Sequence, residues 1–280
     1  MGWSLKFAPQ MSEIQYLNWQ QLVEQRAGIW FGPQGSILES GVMRRMRALG
    51  EEDFDDYYQR VVSGSEAMLE WRELLNTLTV QESSFFRDTA VFDCLRGFIQ
   101  QKMTNTNDIQ SLDMWSAGCS TGEEAYSMAM VARESAETLG GQIYYGVTGT
   151  DLSSTALTTA RQGIYSERAI ERMDVNRQRC HFEQQVGGAR VVQELRERVC
   201  FIRSNLLEIT ELPKIEMDVI VCLNVLLYFR NERRAEILHN LVDRLKVGGM
   251  LIFGQNEMMG WRNAKVQRLP SRNINAYIRR

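Results

Sequence analysis

Histidine is almost missing from this chain: only His181 and His239 occur, and none of the cysteines Cys94, Cys119, Cys180, Cys200 and Cys222 stands in a CxxC pair. A zinc site draws on about four such ligands at short spacing, so no metal is expected. The thiols read as reduced core residues of a cytoplasmic protein. Also lacking is any stretch of about eighteen apolar residues, and the start, Met1-Gly-Trp-Ser-Leu-Lys6, has no apolar segment of a secretion signal. Neither membrane insertion nor export is expected, and Leu5 and Lys6 make the Met-Gly start a poor acylation site. No charge of one sign predominates: the formal net charge is −3, which argues against nucleic acid as a partner. Internal repeats and low-complexity tracts are absent too.

What is present is ordinary globular material, 44% hydrophobic and 24% charged over 280 residues. That length exceeds the usual ~100–200 residues of one domain, so two are expected. Residues 1–80 read as helices. Ser12 is placed to cap a segment carrying Ile14, Leu17, Leu22 and Val23; a second helix spans 36–49 and stops at Gly50. A third carries Phe54, Tyr57 and Val61, and a fourth Met68, Leu74, Leu75 and Leu78 at helical spacing. After a further helix following Asp88, strands and helices alternate. Strands are expected at 112–117, 143–148, 199–202, 219–223 and 250–253, the last opened by Gly248-Gly249. Helices are expected at 123–139, 153–161 and 231–245, and 274–278 reads as a final edge strand. Such alternation predicts an α/β fold with a mostly parallel sheet. Between Gly163 and Val199 lies a weakly periodic stretch in which Gly187-Gly188 suggests a small inserted hairpin.

Open α/β sheets bind ligands beyond the carboxyl ends of their strands. The first such end is Trp115-Ser-Ala-Gly118-Cys-Ser-Thr-Gly122-Glu-Glu124. Small residues there let the backbone approach a ligand, and a helix N-terminus follows. It is neither a Walker A loop nor GxGxxG, and Glu123-Glu124 would repel a pyrophosphate. A carboxylate at that position suits an ammonium or a sulfonium instead. The second end is Asp151, a carboxylate able to accept both ribose hydroxyls of a nucleoside. Together they favour a nucleoside-bearing cofactor.

The run Gly118-Cys-Ser-Thr-Gly-Glu-Glu-Ala-Tyr-Ser-Met-Ala-Met130 resembles the signature of CheR-type chemoreceptor glutamate methyltransferases. So do Ser83-Ser84-Phe85-Phe86-Arg87-Asp88, Thr150-Asp151-Leu152, Ala160-Arg161-Gln162-Gly163-Ile164-Tyr165, Asn205-Leu206-Leu207 and Asn224-Val225-Leu226-Leu227-Tyr228-Phe229. The likeness extends from Gln25-Arg26-Ala27-Gly28-Ile29 to Gly254-Gln255-Asn256-Glu257. It implies a small all-helical N-terminal domain over 1–80 that docks on the receptor. A Rossmann-like methyltransferase domain over 81–280 follows, with a β-subdomain inserted at about 166–200.

The resemblance places Gln81, Ser83, Arg87, Glu124, Asp151, Asn205, Leu206, Asn224 and Val225 on cofactor-contacting positions, beside the close-approach glycine Gly118. Arg87 and Tyr228 fall on the active-site pair, and Arg44, Arg45 and Arg47 on the helix that docks to acidic methylation helices of a chemoreceptor. The resemblance narrows the nucleoside-bearing cofactor to S-adenosylmethionine. The implied reaction turns receptor glutamates into methyl esters for sensory adaptation, leaving S-adenosylhomocysteine, and a monomer is expected. Two departures stand out: Leu223 replaces the arginine usual before Asn224, and Gln81 and Ser83 replace an asparagine and a threonine. A methyltransferase for another protein substrate, or a non-catalytic adaptor that binds the cofactor, remain alternatives.

Overall fold

Ser12 begins the first helix with a reciprocal cap: its hydroxyl accepts from the Gln15 amide, and the Gln15 side chain accepts from the Ser12 amide. Two of the orphan donors that every helix start carries are thereby satisfied. Helix α1 (Glu13–Ala27) is followed by α2 (Ser36–Leu49), α3 (Phe54–Ser63) and α4 (Ala67–Leu78). The computed structural model describes residues 10–32, 35–79, 82–105, 111–140, 143–211, 213–271 and 274–280. Two units divide the chain: Met1–Val80 with Tyr228–Arg230, and Gln81–Leu227 with Asn231–Arg280.

In the helical unit only part of the expected apolar faces is buried: Leu22, Val23, Phe54, Tyr57, Val61, Leu74, Leu75 and Leu78 go inside, while Ile14, Leu17 and Met68 are exposed. Trp19, Leu38, Val42 and Met46 are buried as well, and the Trp19 ring stacks on Tyr57 with centroids 5.3 Å apart. Beside them lies a polar knot. Arg45 grips Glu70 with two bonds of 2.9 and 2.8 Å, and the Tyr57 hydroxyl donates to the same carboxylate at 2.7 Å. Burial alone would push Glu70 up; these donors outweigh it and hold the carboxyl below its ordinary range. The segment Tyr228–Arg230 completes this unit. The Trp30 amide donates to the Tyr228 carbonyl at 2.8 Å, and Arg230 pairs with Glu24 beneath the Trp30 ring.

The second unit opens with α5 (Thr89–Asn105) and β1 (Ser111–Ala117), α6 (Glu123–Leu139), β2 (Tyr144–Asp151) and α7 (Ser154–Gln162). Next come β3 (Ile164–Tyr165), α8 (Glu167–Ile170), α9 (Val175–His181), β4 (Phe182–Gln185), β5 (Gly188–Val191), α10 (Gln193–Arg196) and β6 (Val199–Arg203). A 3-10 turn (Leu206–Glu211), β7 (Met217–Cys222), a 3-10 turn (Leu226–Tyr228) whose last residue falls in the first unit, α11 (Asn231–Val242), β8 (Leu245–Phe253), β9 (Val266–Arg268) and β10 (Asn275–Arg279) follow. The main sheet has the order β6-β2-β1-β7-β8-β10-β9, parallel from β6 to β8 and antiparallel beyond. Its central strand β7 is buried at every position, as a strand covered on both faces must be. A separate antiparallel sheet, β3-β5-β4, is the inserted subdomain, and its hairpin turns at Val186-Gly187. This is the expected α/β architecture of a helical unit joined to a Rossmann-like sheet with a small β insert.

Three local expectations change. Gly248-Gly249 does not open β8 but lies inside it, where the register against β7 slips between Met217 and Val219. The segment 274–278 is not the sheet edge, because β9 pairs outside it. Cys119 and Cys222 are core thiols, but Cys180 and Cys200 are exposed. Among the described residues no helix is long and apolar enough to cross a membrane.

Candidate active site

The order β6-β2-β1-β7 brings four parallel strand ends side by side. The residues that follow them, Asn205, Asp151, Gly118 and Asn224, therefore line one edge of the sheet, where such folds bind ligands. The turn after β1 is shaped by two glycines. Gly118 stands at φ 89°, and a Cβ there would lie 2.2 Å from Cγ2 of Val225. Gly122 stands at φ 98°, with Ala160 and the Tyr165 hydroxyl too close for any side chain. Tyr165 then ties the turn down, donating to the Thr121 carbonyl at 2.7 Å.

Asp151 holds the same turn from the neighbouring strand. Its carboxylate accepts the amides of Ser120 at 2.9 Å and Ser153 at 2.8 Å. Burial raises the Asp151 carboxyl above its ordinary value, while those two amides and that of Leu152 pull it back. Three amides still leave acceptor capacity on the carboxylate for a further donor. Asn205, buried at the end of β6, accepts the Leu207 amide at 3.1 Å and so starts the 3-10 turn that buries Leu206.

Glu124 lies in the first turn of α6, where the helix dipole favours an anion. Its carboxyl is nevertheless pushed up to about 8, first by burial and then by the nearby charge of Glu257. The Ser116 hydroxyl, donating at 2.6 Å, and the cation of Arg87 act the other way. An acid sheltered in this manner gains most from an incoming cation. Arg87 itself is exposed, with Nη1 donating to the Glu82 carbonyl at 2.9 Å. It is aimed by Phe86, which adopts the left-handed φ of 51°, donates its amide to Ser127 and lies 4.1 Å under the Arg177 guanidinium.

Arg87, Gly118, Glu124, Asp151, Asn205, Leu206, Asn224 and Val225 thus belong to one unit, with Ser83 half-buried just ahead of Phe85. Gln81 lies outside the described residues. Tyr228 falls in the segment that completes the helical unit. Arg44 and Arg47 are exposed on α2, but Arg45 turns inward to Glu70, which removes it from the set available for docking. Leu223, where an arginine is usual, packs against the sheet core. The residues not foreseen are Ser116, which steers Glu124, and Glu257, which caps the loop after β7.

These residues fit S-adenosylmethionine. Asp151 could accept ribose hydroxyls, Glu124 offers a buried carboxyl that a cationic group would favour in its ionised form, and the buried Ser120 hydroxyl has no partner among the described residues. Residues 81–274 match the family model for the SAM binding domain of CheR methyltransferases, and 14–79 match that for their all-alpha domain. The chain is 31% identical over 252 residues to the chemotaxis protein methyltransferase of Escherichia coli, covering 88% of this chain and 85% of that protein. Chemotaxis protein methyltransferase 1 of Pseudomonas aeruginosa is 32% identical over 243 residues, covering 85% and 87%. Among solved structures, magnesium protoporphyrin IX methyltransferase of Synechocystis with bound SAM shares 15% identity at a TM-score of 0.37, over 85% of this chain and 94% of that one.

Proposed function

The chain belongs to the CheR methyltransferase family, and on that premise we propose that it methylates glutamate side chains on the cytoplasmic helices of chemoreceptors, giving methyl esters for sensory adaptation. The observation that carries this reading is the buried carboxyl of Glu124 in the first turn of α6, which accepts from Ser116 at 2.6 Å and follows the Gly118 turn. It is built for a cation and against a phosphate.

S-adenosylmethionine supplies a methyl group made electrophilic by its sulfonium. A receptor glutamate, with a reference pKa near ~4.3, arrives already ionised. A carboxylate oxygen forms the new bond to carbon as the bond to sulfur breaks and its electron pair returns to sulfur. No proton moves, so the protein needs no general base. Its task is alignment and exclusion of water. Asp151 and Glu124 would hold the cofactor, one through hydroxyl groups and the other through a cationic group. Arg87, an exposed cation whose Nη1 is steadied by the Glu82 carbonyl, orients the incoming carboxylate. The exposed Arg44 and Arg47 of α2 meet the acidic receptor helix.

The test is transfer of labelled methyl from the cofactor to membranes that contain chemoreceptors. Base-labile label on receptor glutamates is the expected result, with Arg87→Ala reducing transfer by about a hundredfold or more. Cofactor binding without label on any receptor would reject the assigned substrate.

A further inference from the structure

Glu257 follows β8, well after the turn that carries Asn224 and Val225, and it is 1% exposed. Its Oε1 accepts the Leu226 amide at 2.8 Å and its Oε2 the Gly254 amide at 2.6 Å. The amides of Asn224 and Val225 donate to the same carboxylate. The four donors gather two chain segments onto one acid. Three of them belong to the stretch between the end of β7 at Cys222 and the 3-10 turn that starts at Leu226, where no strand ladder holds the backbone. Within that stretch Asn224 is forced to φ 60°, a costly conformation for a residue with a side chain. Val225 is the side chain against which Gly118 closes.

We propose that Glu257 is a positioning residue for cofactor binding: by collecting four amides it holds Asn224–Leu226 in the left-handed turn that presents Asn224 and Val225 beside Gly118. The proposal rests on the reading of Asn224, Val225 and Glu124 as cofactor contacts. A passive cap would do no more than hold the backbone, whereas Glu257 also places a negative charge toward the cofactor's acid. The charged or titratable groups facing Glu124 are Glu257, Arg87 and the buried thiols Cys119 and Cys222. With the charge of Glu257 removed, Glu124 ionises at lower pH.

The experiment is calorimetric titration of S-adenosylhomocysteine into full-length wild type and Glu257→Gln across about pH 6 to 9, with a thermal melt of each. Wild-type affinity should rise with pH as Glu124 ionises. Glutamine keeps the size but replaces one acceptor with a donor facing a backbone amide. Its binding should be about tenfold weaker at high pH, with the midpoint of the rise moved to lower pH. A folded E257Q that binds as tightly as wild type, with an unmoved midpoint, overturns the proposal. Should E257Q not fold, Glu257→Asp takes its place: it keeps the charge but draws it back by one methylene. It should bind more weakly with the midpoint unchanged, and wild-type affinity in it would overturn the proposal equally. A wild type that binds no S-adenosylhomocysteine sinks the cofactor site and this inference with it. A wild type that binds beside an unaffected E257Q sinks the inference alone.

Discussion

Glu124, the acid proposed to meet the cofactor, is also a burden on the unligated protein. Burial, helped by Glu257, raises its carboxyl to about 8 against the opposing Ser116 and Arg87, whereas an unfolded glutamate ionises near ~4.3. Between those values the folded protein keeps a proton that the unfolded chain releases. The stability this group lends is complete below the unfolded value and is lost as pH rises through the folded one. Glu124→Gln cannot ionise in either state. Its unligated form should match wild type at about pH 4 and gain with pH, reaching about 5 kcal/mol above pH 8, or roughly 10 °C in melting temperature. The same variant should bind S-adenosylhomocysteine about a hundredfold less tightly. Melts with and without ligand across that pH range would show both effects, and a variant less stable than wild type at high pH would disprove the account.

The parallel strands are fastened at the end remote from the cofactor. Asp218 at the start of β7 is buried and accepts from Lys102 of α5, from Lys246 of β8 at 2.7 Å and from the Asp113 amide of β1 at 2.9 Å. Burial would raise its carboxyl, but the two ammonium groups and the amide reverse the shift and hold it below the ordinary value. Its contribution is present above the unfolded carboxylate pKa and disappears as pH falls through the lowered one. Asp218→Asn should cost about 3 kcal/mol at neutral pH, with two cations left short of a partner, and much less near pH 3. Urea denaturation at the two pH values provides the comparison, and an equal loss at both would refute the ionic origin. The elements joined here were legible in the sequence to unequal degrees. Helix α6 runs from Glu123 to Leu139 as its periodicity and flanking glycines foretold, because those signals are local. The place of Gly248-Gly249 depends on a register slip against another strand, which no local pattern records. Two-residue β3 is too short to show a period, and β9 is a strand only because β10 offers it a partner. In the site, Asp151 and Glu124 stand out beside their strands, whereas the bond from Glu257 to Leu226 spans 31 positions and becomes visible only when the chain is folded.

Over the whole molecule the net charge of −3 hides a local reversal. Arg44 and Arg47 stand exposed on α2, while Arg45 between them is occupied by Glu70. Helical spacing explains the split, since neighbouring positions on a helix point in different directions. The arginine run could be read in sequence, but the inward turn of its middle member could not, because Glu70 and Tyr57 arrive from other helices. Charge reversal at Arg44 and Arg47 together should reduce methylation of receptor membranes by about tenfold or more while leaving S-adenosylhomocysteine affinity unchanged. Arg45→Ala should instead lower the melting temperature. Receptor methylation that survived the double reversal would show that α2 is not the docking element.

The helical unit contains three residues encoded far downstream of it. Tyr228 receives the Trp30 amide, and Arg230 covers the Trp30 ring and pairs with Glu24. A gene fragment that stops at Val80 therefore leaves that amide without its acceptor and that indole without its cover. Transplanting the helical unit between relatives is consequently a two-site graft, and a chimera joined at a single boundary would pair one parent's Trp30 with the other parent's Tyr228–Arg230.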